Sequence, residues 1–117
     1  MFSIQLVLKS LEEIRLSESL GNLKLLECID KGLGAFGSTV KQAIYWRLEI
    51  EHNMKKEDIA VRPEDFQKFL EEAFGIGIKC VERTIIGEMK LIPGLENLPD
   101  GNLVKAIKAA RTHFHQT

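Results

Sequence analysis

Residues 63–75 read Pro63-Glu64-Asp65-Phe66-Gln67-Lys68-Phe69-Leu70-Glu71-Glu72-Ala73-Phe74-Gly75, and this stretch specifies a whole helix with both its ends. Pro63 fits the first helical position, where a missing N–H breaks no hydrogen bond. Glu64 and Asp65 place negative charge at the positive end of the helix dipole. Phe66, Phe69, Leu70, Ala73 and Phe74 recur at three- and four-residue spacing and make one apolar stripe. Gly75 stops the segment in a backbone geometry that glycine tolerates.

The same period continues in both directions. Downstream, Gly77 opens a segment to about Leu91, with Ile78, Val81, Ile85, Met89 and Ile92 on one face. Pro93-Gly94 and Pro99-Asp100-Gly101 bracket a loop. A last helix starts at about Asn102 and turns Leu103, Ile107, Ala110 and Phe114 inward. Upstream, residues 38–52 are predicted to be helical with Ser38 as the cap. On that helix Val40, Ala43, Ile44, Trp46, Leu48 and Ile50 cover an arc of about 200°, which suits a central helix buried on more than one side. Arg47 and Glu51 fall inside the arc one turn apart, so they are expected to pair or to lie at its wet end. Residues 53–58 form a polar connection, after which Ile59 and Val61 return to the core.

Before that helix, residues 22–31 carry Leu25, Leu26 and Ile29, with Leu33 continuing the stripe and Gly32 and Gly34 interrupting it. The first segment, about Ser3 to Arg15, puts Ile4, Val7, Leu8, Leu11 and Ile14 on one face. Ser17-Glu18-Ser19 and Gly21-Asn22 predict a break between these two segments. No long alternation of apolar and polar residues occurs, so strands are not expected. The expected fold is all-α: a single domain over residues 1–117, packed as one compact bundle of five to six helices.

A chain of 117 residues is the size of one domain. With 44% apolar and 28% charged residues it can offset its ordering entropy, which argues against disorder. Sixteen basic and seventeen acidic side chains leave a net charge of −1, so a general polyanion-binding surface is not implied. Cys28 and Cys80 form no CxxC pair and read as reduced packing residues. The N-terminus has no basic stretch before its apolar residues and no small-residue cleavage site, and it meets Glu12 and Glu13 early. No apolar run approaches the roughly 20 residues of a membrane span. The expected location is the cytoplasm, without membrane association.

Few constellations here carry chemistry. Gly32-Leu33-Gly34-Ala35-Phe36-Gly37 matches GxGxxG as a string. A dinucleotide site needs a strand before it, and the residues before Gly32 read as helix. The glycines are better explained as breaking one helix and letting the next pack closely. A small anion near Ser38-Thr39 and Lys41 is a lesser reading. His52, His113 and His115 have no metal-ligand spacing with either cysteine. Neighbouring acidic residues such as Glu71-Glu72 diverge by about 100° on a helix and make no paired-carboxylate site by themselves. No GxSxG is present. The expectation is a non-enzyme with no cofactor and no metal.

The clearest charge bias is Lys105, Lys108 and Arg111 on the last helix, after the final acidic residue, Asp100. It marks a candidate contact for an anion or an acidic partner. Nucleic acid is the less favoured partner, because its binding domains usually show a broader basic surface.

Leu33-Gly34, Val40-Lys41-Gln42-Ala43-Ile44-Tyr45-Trp46-Arg47-Leu48-Glu49, Lys55-Lys56-Glu57-Asp58-Ile59, Pro63-Glu64-Asp65-Phe66, Leu70, Phe74-Gly75-Ile76-Gly77 and Glu82 make a pattern over residues 33–92. It resembles the Nitrosopumilus output domain, a small helical domain family of archaea found alone or at the end of sensor-type chains, with an undefined biochemical role. The resemblance implies an archaeal cytoplasmic origin and a role in signal output or protein interaction. It supplies no catalytic or ligand residues.

The resulting functional expectation is a non-catalytic helical interaction module that self-associates as a homodimer or docks to a signalling protein. Ile4, Val7, Leu8, Leu11 and Ile14 are the expected interface. The alternatives are a transcriptional regulator that binds nucleic acid through the last helix, and a small-molecule sensor with a pocket among Trp46, Phe66, Phe69 and Phe74.

Overall fold

The computed structural model describes residues 20–116. The expected Ser3–Arg15 helix, with its stripe of Ile4, Val7, Leu8, Leu11 and Ile14, lies outside the described residues. Among the described residues the regular structure is helical, with no strand. A helical run over residues 20–34 (α1) precedes four bounded helices: α2 (Ser38–His52), α3 (Pro63–Phe74), α4 (Ile78–Met89) and α5 (Leu103–Gln116). Short 3-10 turns occupy Lys56–Asp58 and Gly75–Gly77. Among the described residues this makes α1 and four bounded helices, with boundaries that differ from those the glycine pattern suggests.

The difference is clearest in α1, which is helical at Gly21-Asn22 and at Gly32; the Ser17-Glu18-Ser19 part of the expected break lies outside the described residues. Both glycines are contact points rather than breaks. A Cβ on Gly21 would meet Cβ of Phe114 at 2.5 Å, and one on Gly32 would meet Cγ1 of Ile85 at 2.7 Å. Helical propensity is given up at these positions so that α1 can lie against α5 and α4.

One buried cluster draws on every helix. It joins Leu25, Ile29 and Leu33 of α1, Ile44 and Leu48 of α2, Phe66, Phe69 and Leu70 of α3, Val81, Ile85, Ile86 and Met89 of α4, and Leu103, Ile107, Ala110 and Phe114 of α5. The stripes of α3 and α5 therefore face inward as their spacing predicts. Ile59 is fully buried, but Val61 is 52% exposed and does not return to the core.

Two further expectations on α2 are corrected. Ser38 is the first helical residue, not the cap; Gly37 caps the helix without a side-chain hydrogen bond. Nor is α2 buried on several sides. Ile44 and Leu48 are its buried residues, while Trp46 is 64% and Ile50 65% exposed. Among the described residues the neighbours cover one edge of the apolar arc and not the other.

Candidate functional site

The outward side of α2 is the first candidate surface. Trp46 and Ile50 are one turn apart, and Ala43 and Val40 are exposed beside them. Trp46 and Ile50 are large apolar groups on one exposed helix face, the pattern of a contact surface rather than of scattered surface residues. On one flank Arg47 donates from Nε to Glu51 Oε1 at 3.2 Å and from Nη2 to Oε2 at 3.3 Å. Its guanidinium also sits 5.5 Å from the ring centroid of buried Phe69. The pairing expected of Arg47 and Glu51 is present, and it leaves the Trp46–Ile50 strip free of unpaired charge at that edge.

The opposite flank ties α2 to α1. Lys41 pairs with Asp30 at 3.0 Å, and the Tyr45 hydroxyl donates to the same carboxylate at 3.1 Å. Burial, followed by the Asp30 charge and its hydrogen bond, raises the Tyr45 phenol far above its ordinary value. Lys56 lies 5.0 Å over the Tyr45 ring. Lys41 is thus held by Asp30 and does not stand ready for an anion at the start of α2.

The three candidate cations of α5 do not form a free basic face. Lys108 forms an ion pair with Glu64 of α3. The hydrogen bond to Lys108 leads the causes that lower the Glu64 carboxyl below its usual value. Lys105 and Arg111 are exposed. The Lys105 amide is capped by Asn102 Oδ1 at 3.0 Å.

The aromatic pocket expected among Trp46, Phe66, Phe69 and Phe74 is not assembled. Phe66 and Phe69 are fully enclosed, whereas Trp46 is largely exposed. Phe74 instead packs against Phe36, with ring centroids 6.1 Å apart. His52 lies edge-on to Phe69 at 5.3 Å and 3.5 Å from Glu72. Among the described residues no three His, Cys, Asp or Glu side chains gather as a metal site. Cys28 is buried and Cys80 exposed, both as free thiols; burial is the main cause raising the Cys28 thiol. No helix among the described residues is long and apolar enough to cross a membrane.

The sequence stripe of α4 omits one residue that the fold encloses. Glu82 is 1% exposed and accepts a 2.8 Å hydrogen bond from Gln67 Nε2. It faces a cleft of about 430 Å³ lined by Gln67 and Glu71 of α3, Lys79 and Glu82 of α4, and residues around Asn102, Lys105 and Lys108. The signal was present: Glu82 falls four residues after Ile78 and four before Ile86, inside the apolar stripe.

Comparisons with protein-family models, with curated proteins and with solved structures find no match to this chain.

Proposed function

We propose that this chain is a non-catalytic interaction module that acts as a homodimer, with the outer face of α2 at the contact. The supporting observation is the Trp46–Ile50 strip, since tryptophan in a desolvated contact is among the side chains that contribute most to association. A second copy is the favoured occupant because one straight helix face can pair with itself about a twofold axis, the commonest closed assembly.

Area shapes this reading further. The 15 residues of α2 make a face about 22 Å long and about 10 Å wide. That is well short of the roughly 800 Å² per partner of a stable interface. The stripe of Ile4, Val7, Leu8, Leu11 and Ile14 is the second apolar surface that the sequence offers, and the dimer uses both. A cytoplasmic signal-output role, of the kind implied by the resemblance over residues 33–92, is consistent with such a module and rests on the residues quoted for it. Nucleic acid is the weaker reading, because Lys108 is already engaged by Glu64.

Sedimentation velocity across a concentration series tests the proposal. The wild-type chain is expected to sediment as a dimer at micromolar concentration, and both Trp46→Glu and the double substitution Leu8→Glu with Leu11→Glu shift it to monomer. A wild-type monomer at every concentration overturns the proposal. A dimer indifferent to Trp46→Glu removes α2 from it.

A further inference from the structure

The cleft between α3, α4 and the start of α5 has acceptors on its floor and cations at its rim. Oε1 of Glu82 accepts from Gln67, but Oε2 is buried with no hydrogen-bond partner. The Gln67 amide nitrogen donates to Glu82 at 2.8 Å and to Glu71 at 3.3 Å. These two bonds fix the amide orientation and leave Gln67 Oε1, also buried, without a partner. Turning the amide over would lose both bonds to carboxylates. Two buried acceptors without a protein donor are costly, and an N–H or O–H donor, from water or from a ligand, is what satisfies them.

The rim has the opposite character. Lys79 reaches the Gly101 carbonyl at 3.1 Å and lies 3.9 Å from Glu82 Oε1. Lys105 and Lys108 line the cleft from α5, where the amide end of the helix adds positive potential. Lys79, Lys105 and Lys108 balance Glu71, Glu82 and the Glu64 that pairs with Lys108, so the charges cancel in sum while staying separated in space. A simple cation would satisfy the floor but meet three lysines. A simple anion would suit the lysines but meet Glu82. A small molecule carrying both charges fits each end.

We propose that this cleft binds a free α-amino acid, with its ammonium toward Glu82 Oε2 and Gln67 Oε1 and its carboxylate toward Lys105 and the first turn of α5. The last torsion of a glutamate is soft, so a small rotation of the buried Glu82 carboxylate opens Oε2 to the ligand while lengthening its bond from Gln67. The cleft of about 430 Å³ is roomy enough for such a molecule. The proposal does not depend on the dimer.

The test is a backbone amide NMR titration of the full chain with three probes at millimolar concentration: a mixture of the twenty free L-amino acids, ethylamine alone and acetate alone. The amino-acid mixture is expected to shift amides in residues 67–71, 79–82 and 101–108 more than either half-probe does. Glu82→Gln supplies an N–H to the floor and removes the charge; it should melt no lower than wild type and bind at least about tenfold more weakly. Lys105→Gln, at an exposed position, should weaken binding in the same direction, and it keeps the test decisive if the core substitution unfolds the chain. No shift in these segments with the mixture overturns the proposal. So does saturation of the same shifts by acetate or ethylamine alone, or unweakened binding by Lys105→Gln or a folded Glu82→Gln.

Discussion

The Cα of Ile85 lies 2.9 Å from where a Cβ on Gly32 would stand, and its Cγ1 lies at 2.7 Å. The helices α1 and α4 meet at this point with a hydrogen atom between them. Because the nearest atoms include backbone, a rotamer change cannot relieve an added methyl group. Gly32→Ala therefore gains helix propensity but loses more to overpacking, and should destabilise the chain by about 1–3 kcal/mol in urea unfolding. A stabilised variant would show that α1 can move away from α4 at no cost.

Tyr45 is the only tyrosine of the chain, so its ionisation can be followed alone by absorbance. Its phenol is held neutral by burial and by the Asp30 carboxylate. The proton is bound more tightly in the folded state than in the unfolded one. The corresponding stability is fully present below the ordinary tyrosine value of about 10 and is lost as pH rises above it. The absorbance midpoint should lie above that ordinary value, and Asp30→Asn should bring it down. An unshifted midpoint would mean that Tyr45 does not donate to Asp30.

Glu64 makes the opposite prediction. Its carboxyl is lowered chiefly by the hydrogen bond to Lys108, so the folded state favours the ionised form. Its contribution is present above the usual carboxylate range and disappears as pH falls through the lowered value. Carboxyl carbon NMR should show Glu64 titrating below the ordinary glutamate midpoint, with Lys108→Gln restoring it. Both groups are exposed, so the effect on global stability is small. A normal midpoint in the wild-type chain would free Lys108 and restore the basic face of α5.

Much of this fold is legible because helix patterning is local. The α3 stripe, its Pro63 start and the inward face of α5 follow from spacing alone. Gly75 stops α3 with a positive φ of 56°, although its ψ of −127° lies outside the left-handed helical basin. What periodicity does not reveal is which neighbour reaches which face. Trp46 and Ile50 share an apolar arc with Ile44 and Leu48, yet tertiary packing covers only the second pair. Gly21 and Gly32 carry the same chemical signal whether they break a helix or admit a neighbour, and only the partner helix decides. An apolar pattern leaves Glu82 out of the α4 stripe because of its residue type, while its place four residues after Ile78 and four before Ile86 puts it inside. The pairing of Lys108 with Glu64 joins residues 44 positions apart, beyond the reach of any local pattern.

Trp46 is the chain's only tryptophan and stands on the proposed contact face, so its fluorescence reports association without a label. The emission maximum should begin at a water-exposed position in the nanomolar range, move to shorter wavelength as concentration rises into the high micromolar range, and stay unshifted in Ile50→Glu. An emission maximum that remains at the water-exposed position across the whole series would contradict self-association through α2.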